Sequence, residues 1–190
     1  RFGQSVIPAY LVAGILVGYT WSFLFEPRAG VLNYLLTLVG LPGQSWTADP
    51  SLALPSIIIA NIWRGVPYSL ILQTAGLQSI NPELYEVATV DGVGPMQKIR
   101  YITIPLIKDF ILLNLILDTG QTFQVFDIIF AMTGGGPLHR TETLSLAMYH
   151  RAFRFSDVGV GSTIAVFLLL FAIVIAVVYM TLFKPQRRGR

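Results

Sequence analysis

The sequence predicts an all-α protein, a polytopic bundle of transmembrane helices, on three observations. Of the 190 residues, 54% are hydrophobic and only 12% are charged, with a mean hydropathy of +0.65, whereas a soluble domain carries about 25% charged residues. The hydrophobic residues form segments of about 20 residues, the length that crosses a bilayer core. The basic residues stand in blocks between these segments, so the net charge of +3 indicates topology rather than nucleic-acid binding.

Four hydrophobic segments are predicted to span the membrane. The first covers residues 6–25 and carries aromatic residues near its end, as a membrane interface favours. The second covers residues 52–77 and contains Pro67, which should kink it. The third covers residues 110–130, and the fourth, which has no charged residue, covers residues 158–183. We expect one membrane domain over the whole chain, residues 1–190.

Two shorter pieces lie between these segments. Residues 26–51 are rich in Gly and Pro and contain an amphipathic piece, residues 31–39. This piece suits the membrane surface, and a re-entrant edge of a pore is the alternative that the sequence leaves open. Residues 144–153, after the third segment, predict another short amphipathic helix.

The longest polar interruption, residues 81–105, is predicted to form a helix, a sharp turn and a second helix. Asn81 is a good N-cap, and Pro82 suits the first helical position. Gly92 can adopt the left-handed conformation that ends a helix. Pro105 is expected to stop the second helix or to bend it into the next segment.

The spacing in this loop resembles the cytoplasmic loop of binding-protein-dependent ABC importer permeases. The family pattern is Glu-Ala-Ala, three residues, Gly, nine residues, then Ile-x-Leu-Pro. Glu86, Gly92 and Pro105 stand at the required positions, and Val87 and Ile104 replace an Ala and a Leu of the pattern. An ordinary helical hairpin between two spans is the alternative interpretation.

This resemblance implies the ABC importer permease fold, with a cytoplasmic coupling helix and with the first helices of such a permease missing from this chain. The sequence has no Gly-x-x-x-x-Gly-Lys-Ser/Thr loop for binding phosphate, so ATP is expected to be used by a partner ATPase subunit and no cofactor by this chain. Tyr85, Val87 and Ala88 are candidates for docking into the ATPase. The residues assigned to the ATPase-coupling loop are Tyr85, Glu86, Val87, Ala88, Asp91, Gly92, Ile102 and Pro105.

Residues 133–155 carry a second resemblance, to the sugar-type permeases. These commonly have a Gly-Gly-Gly-Pro turn, a Thr-Glu-Thr-Leu run, a tyrosine and an Ala-Phe pair, which fall here at residues 134–137, residues 141–144, Tyr149 and residues 152–153. The match implies the maltose- and glycerophosphate-type permeases. Such a permease pairs with a non-identical second permease subunit and receives its sugar from an extracytoplasmic binding protein.

Polar residues in the second and third segments indicate a path for the solute. Such residues are costly at membrane depth and should face a cavity or a partner. In each segment they recur at steps of three and four residues, which places them on one helical face. The residues predicted to line the path are Asn61, Arg64, Tyr68, Asp118, Gln121 and Thr122.

Two roles are open for these polar residues. They can bind sugar hydroxyls, with Tyr68, Trp63 or Phe123 stacking on a sugar ring. Alternatively, they bond one another and hold the helices together. A pair between Arg64 and either Asp118 or Asp127 would do this.

Catalysis and metal binding find little support. The chain has no cysteine, and its two histidines, His139 and His150, are more typical of surface residues than of metal ligands. An intramembrane enzyme that uses Asp118 and Asp127 as a carboxylate pair is one alternative. The two residues would lie about 13 Å apart along a helix, too far to share a proton. An importer of another solute, such as a glycerophosphodiester, is the nearer alternative.

The basic residues predict the orientation. With residues 78–108 and the C-terminus in the cytoplasm, eight Lys and Arg residues lie inside, four lie outside, and Arg64 falls within a span. The chain is therefore expected to be a multi-pass protein of the inner or plasma membrane. Its expected partners are the lipid bilayer, ABC ATPase subunits, a second permease subunit and a sugar-binding protein, and no nucleic acid.

Overall fold

The computed structural model describes residues 14–182, and every regular element in that range is helical, without a strand. The all-α prediction is confirmed. The predicted start of the first span and the basic residues at both termini lie outside the described residues. The helices are α1 (Gly14–Leu24), α2 (Val31–Leu38), α3 (Ala53–Gln78), α4 (Glu83–Val90), α5 (Pro95–Lys98), α6 (Ile104–Phe123), α7 (Asp127–Met132), α8 (Leu144–Tyr149) and α9 (Val158–Leu182). Two π-helical turns, Ile99–Thr103 and His150–Arg154, follow α5 and α8 directly.

The long helices differ in how apolar they are. Among the described helices, only α9 contains a stretch, residues 158–179, that is both long and apolar enough to cross a membrane by itself. Helices α3 and α6 have 26 and 20 residues, but they carry the polar residues noted above. Because polar groups at membrane depth need partners, α3 and α6 suit the inside of a bundle rather than full contact with lipid.

The third predicted span is not one helix, so the prediction of a helix over residues 110–130 is wrong. Helix α6 ends at Phe123, and the Gln124 N–H closes the last turn by bonding the Gln121 carbonyl at 3.2 Å. The chain then turns, and α7 starts at Asp127. The Asp127 carboxylate accepts a hydrogen bond from the Ile128 N–H at 2.9 Å. A carboxylate at this position stabilises a new helix start, which hydrophobicity alone does not reveal.

Pro105 does not stop the second helix, which was one of the two outcomes predicted for it. Residues 95–123 form one continuous helical rod that includes the π turn Ile99–Thr103. In this turn the Ile104 N–H bonds the Ile99 carbonyl, five residues earlier. A proline ring clashes with the carbonyl four residues before it in a regular α-helix. The wider π turn relieves this clash, so the helix continues through Pro105.

The core lies where α1 packs across α7 and α3. Helix α1 approaches α7 closely because Gly18 has no side chain, and a Cβ there would lie 2.6 Å from the Ala131 Cβ. Close approach through small residues is typical of helices in membranes. The buried hydrophobic residues of this cluster are Val17, Phe25, Ile57, Ala60, Ile128, Ile129, Met132 and Leu146.

Helix α2 confirms the predicted helix in residues 31–39, and one buried polar residue holds it in place. The Asn33 side-chain amide donates to the carbonyls of Pro27 and Gln44. Its Oδ1 accepts from the indole of Trp46 at 2.8 Å. The opposite face exposes Val31, Tyr34, Leu35 and Leu38. An apolar exposed face on a helix too short to span is typical of a membrane-surface helix.

Candidate functional site

A cavity of about 820 Å³ lies between α3, α6 and the turn that leads into α7. All six residues that the sequence predicts for a solute path line this cavity. Their role there stays a prediction, but the structure brings them together from two helices. The polar residues of the lining are Asn61, Arg64, Tyr68, Ser69, Gln73, Asp118, Gln121, Thr122, Gln124 and Asp127.

Sequence reasoning missed Ser69 and Gln73 as members of this lining, although a signal was present. Counting from Asn61, every fourth residue along α3 is Gly65, Ser69 and then Gln73. Residues four apart lie on the same face of a helix. The predicted face therefore extends two turns further towards the loop of residues 81–105.

Arg64 and Asp127 form an ion pair at the edge of the cavity. The Arg64 Nη1 lies 2.9 Å from Asp127 Oδ2 and 3.2 Å from Oδ1, and about a third of each side chain is exposed. Helix α1 packs closely against this ion pair at Gly14. A Cβ added to Gly14 would collide with the Asp127 carboxylate. This pair is one of the structural alternatives that the sequence left open. It joins α3 to α7 under α1.

Asp118 is held by a serine rather than by a cation. Its Oδ2 accepts a hydrogen bond from Ser69 Oγ at 3.2 Å, and Ser69 Oγ accepts one from Asn114 Nδ2 at 3.1 Å. This chain of hydrogen bonds connects α3 and α6 across the cavity wall. Two buried amide oxygens in the same region, Asn114 Oδ1 and Gln73 Oε1, have no hydrogen-bond partner among residues 14–182. Buried acceptors of this kind suit a hydroxyl or water donor.

Two of the three aromatic residues considered for stacking on a sugar are not among the lining residues. Trp63 packs edge-on against Trp21 of α1, with ring centroids 6.1 Å apart. Phe123 packs in the same way against Phe171 of α9 at 4.8 Å. Tyr68 does line the cavity. The aromatic residues of α3 and α6 therefore serve mainly to pack helices together.

The loop of residues 81–105 forms a helical hairpin of α4 and α5, as predicted. Gly92 has φ of +73°, the left-handed conformation. The Gly92 N–H bonds the Thr89 carbonyl at 3.1 Å, and the Val93 N–H bonds the Ala88 carbonyl at 2.9 Å. These two bonds are the Schellman motif that ends a helix at a glycine. At the other end of α4, Asn81 Oδ1 accepts from the Glu83 N–H at 3.1 Å.

Side chains inside the hairpin hold its two arms together. The hydroxyls of Tyr85 and Thr103 share a hydrogen bond of 2.8 Å. Lys98 Nζ donates to Thr89 Oγ1 at 2.6 Å. Ala88 is buried, with 6% of its surface exposed. Ala88 therefore packs inside the hairpin, and a direct docking contact through its side chain is not supported.

The outer face of α4 is apolar and exposed. It consists of Leu84, Val87 and Val90, which are spaced three residues apart and 45%, 60% and 88% exposed. Because a helix turns about 100° per residue, Val87 and Val90 point away from Tyr85 and Ala88, whereas Leu84 lies at the border, about 40° from Ala88. The other residues of the predicted coupling loop are Glu86 and Asp91, both exposed on α4 and at its end, half-buried Ile102 in the π turn, and exposed Pro105.

The two histidines contact one glutamate, so the expectation of two surface histidines is wrong for His150. Its Nδ1 lies 3.3 Å from Glu142 Oε1, and its side chain is only 12% exposed. His139 Nδ1 lies 2.6 Å from Glu142 Oε2 and is exposed. Within residues 14–182, no three His, Cys, Asp or Glu side chains are arranged as metal ligands.

Residues 4–189 match the family described as binding-protein-dependent transport system inner membrane component. The chain belongs to this family. The resemblance carried by the spacing of residues 81–105 is thereby confirmed. The match covers nearly all of the chain, including every helix described above.

Two curated members of this transport-system family are similar to the chain over most of its length. The trehalose/maltose transport system permease protein MalF of Thermococcus litoralis is 32% identical over 182 residues, which are 96% of this chain and 61% of that protein. The sulfoquinovosyl glycerol transport system permease protein SmoG of Agrobacterium fabrum is 36% identical over 174 residues, 92% of this chain and 55% of that protein. The chain thus spans less than two thirds of the length of these relatives.

Two solved structures have the same fold as this chain. A chain of a bacterial ABC transporter that imports the acidic polysaccharide alginate matches with a TM-score of 0.88 and 25% identity, over 98% of this chain and 66% of that chain. A chain of a bacterial alginate ABC transporter in complex with an alginate pentasaccharide-bound periplasmic protein matches with a TM-score of 0.84 and 26% identity, over 93% of this chain and 62% of that one. These matches confirm the permease fold.

Proposed function

We propose that this chain is the membrane-spanning permease subunit of an ABC importer for a sugar. One observation carries the proposal. Helices α3 and α6, which line the cavity, are the two helices that the hairpin of residues 81–105 joins. A subunit that grips the hairpin therefore acts directly on the walls of the cavity, without an intervening flexible segment on the α6 side.

ATP hydrolysis belongs to a partner in this proposal. The exposed apolar face of α4, formed by Leu84, Val87 and Val90, is the surface on which an ABC ATPase subunit docks. Exposed Glu86 stands beside it and can meet a basic residue of that subunit. The hairpin and the C-terminus then lie in the cytoplasm, and the protein is a multi-pass protein of the inner or plasma membrane.

A second permease subunit and a binding protein complete the assembly. The described residues that line the cavity all belong to α3, α6 and the segment from α6 into α7, and we infer that another chain completes the path. One solved relative is a complex with a periplasmic protein that carries an oligosaccharide. We infer that an equivalent sugar-binding protein delivers the solute to the outer side of this chain.

The chemistry of the cavity supports a sugar as the solute. Amides, hydroxyls and a carboxylate face the same space, and these are the groups that exchange hydrogen bonds with sugar hydroxyls. The carboxylate-pair alternative is disfavoured, because Asp127 is already bound to Arg64. Two similar proteins are named as transport proteins for sugars or sugar derivatives.

Removing cavity amides should change the response to solute. We expect Asn61→Ala and Gln121→Ala to lower solute-stimulated ATP hydrolysis and uptake about tenfold, since each loses a hydrogen bond to the solute. The measurement uses the complete transporter in proteoliposomes. Gln78→Ala is the matched control, because Gln78 is exposed at the end of α3 and outside the cavity. Unchanged uptake in both cavity variants would contradict a path at this site.

A further inference from the structure

The described lining of the cavity has more acidic than basic side chains. Among its described lining residues, Arg64 is the only basic one, whereas Asp118 and Asp127 are acidic. The Arg64 guanidinium is bound to Asp127 at 2.9 Å. Asp118 has no ion pair within residues 14–182. The cavity therefore presents one carboxylate whose charge no cation of the lining offsets.

The Asp118 carboxylate is also held in a defined orientation. Asn114 donates to Ser69, and Ser69 donates to Asp118 Oδ2. Because Ser69 Oγ accepts its hydrogen bond from Asn114, its own hydroxyl hydrogen is directed at the Asp118 carboxylate. No donor among the described residues is bonded to Oδ1. This oxygen is therefore available to accept a hydrogen bond from a solute hydroxyl.

We propose that this cavity selects uncharged sugars over anionic sugars, and that the Asp118 carboxylate is the discriminating group. The inference rests on the proposed function and names the solute class of the same site. Family membership does not settle the charge of the solute, because one structural relative imports an acidic polysaccharide. The charged residues of this cavity favour a neutral sugar over an anionic one. A hydroxyl of a neutral sugar donates a hydrogen bond to the Asp118 carboxylate, whereas an anionic group is repelled by it.

The size of the expected effect follows from Coulomb's law. Two like charges about 6 Å apart, at an effective dielectric constant of about 20, disfavour binding by roughly a hundredfold. Salt and water in an open cavity reduce this figure. A preference of at least about tenfold for the neutral sugar is the conservative expectation.

The test compares matched neutral and anionic probes. The probes are a panel of neutral mono-, di- and trisaccharides and the same sugars with the C6 alcohol oxidised to a carboxylate. Binding is measured by saturation-transfer NMR on the assembled permease–ATPase complex in lipid nanodiscs, without the binding protein, so that only the transporter selects. We expect the wild type to bind the neutral member of each bound pair at least about tenfold more tightly.

Three variants assign the preference to Asp118. Asp118→Asn has nearly the same shape without the charge, and we expect the ratio within each pair to fall below about threefold. Asp118→Glu keeps the charge and should keep the preference. Asp109→Asn removes the same charge from an exposed site on α6 outside the cavity, so its ratio should equal that of the wild type.

The outcomes separate the two proposals. Equal binding of neutral and oxidised sugars by the wild type, or a preference that survives in Asp118→Asn, overturns the inference about charge and leaves the sugar importer in place. Failure of the wild-type complex to bind any sugar of the panel, while it assembles and hydrolyses ATP, overturns the proposed sugar function and the inference with it.

Discussion

Gly18 and Gly120 are both glycines within helices, but only Gly18 is required by packing. A Cβ at Gly18 would meet the Ala131 Cβ at 2.6 Å and the Ile128 carbonyl oxygen at 3.2 Å, whereas nothing lies within 4 Å of a Cβ at Gly120. We expect Gly18→Ala to lower the free energy of unfolding by about 1–3 kcal/mol, because backbone must move. Gly120→Ala should be neutral or stabilising by up to about 1 kcal/mol. Thermal unfolding of the purified transporter compares them, and equal melting temperatures would contradict the close α1–α7 contact.

We expect the Arg64–Asp127 ion pair to stabilise the folded protein. We expect Arg64→Gln to cost about 1–2 kcal/mol, because Asp127 loses its cation in a partly exposed site. The double variant with Asp127→Asn should cost less than the sum of the two single changes, since both remove one interaction. The measurement is a double-mutant cycle on thermal stability. An unchanged melting temperature with lost solute response would instead assign Arg64 to solute binding.

For single residues, the sequence predicted which helix face a side chain lies on better than it predicted which side chain it bonds. The periodicity of α3 and α6 identified Asn61 and Asp118 as members of one lined face, because the helical repeat determines direction. It could not choose between Asp118 and Asp127 as the partner of Arg64. That choice depends on the turn after Phe123, which brings Asp127 towards α3 and removes it from the face of α6.

For two glycines of the hairpin of residues 81–105 we expect opposite effects of substitution. Gly92 has φ of +73°, and Gly94 has φ of −68°. A Cβ in the left-handed region costs about 1–2 kcal/mol. We expect Gly92→Val to distort the end of α4 and to uncouple ATP hydrolysis from uptake, with normal membrane insertion. Gly94→Ala, whose Cβ would meet only Gln97 Oε1 at an ordinary contact distance of 3.7 Å, should keep coupling.

Coupling is measured as the ratio of sugar taken up to ATP hydrolysed in proteoliposomes. Gly92→Asn is a further comparison, because Asn tolerates the left-handed conformation better than Val does. If Gly92→Val is lost from the membrane fraction, the glycine serves folding alone. If it inserts and couples normally, the shape of this turn does not matter for transport.

Among the elements, the hairpin could be predicted because its signals are local. Asn81 and Gly92 act on backbone groups within a few residues of themselves. The break between α6 and α7 could not be predicted, because residues 123–130 are almost uniformly apolar apart from Gln124 and Asp127. The sequence also did not indicate that Ala88 is buried or that the Tyr85 hydroxyl bonds Thr103, because that contact joins residues 18 positions apart.

On the scale of the whole molecule, the proposed orientation places the hairpin of residues 81–105 and the glycine-rich turn that begins at Gly134 on opposite sides of the membrane. Val90 in the hairpin is 88% exposed and Leu138 in the glycine-rich turn is 78% exposed. The chain has no cysteine, so single-cysteine variants give an unambiguous signal. We expect a membrane-impermeant maleimide to label Leu138→Cys but not Val90→Cys in intact cells, and to label both after permeabilisation. Labelling of Val90→Cys in intact cells would reverse the proposed orientation.

The π turn Ile99–Thr103 determines the direction in which the hairpin points. One residue of an α-helix corresponds to about 100° of rotation and 1.5 Å of rise, and a π turn holds one residue more than the regular helix needs. Deleting a single position there, such as exposed Tyr101, would remove the extra residue, bring back the clash of the Pro105 ring with the preceding turn and swing α4 by more than a quarter turn about the axis of α6. The cavity between α3 and α6 would keep its shape. In the proposed transporter, this variant would still bind the solute but would present the exposed face of α4 to the ATPase subunit in the wrong direction.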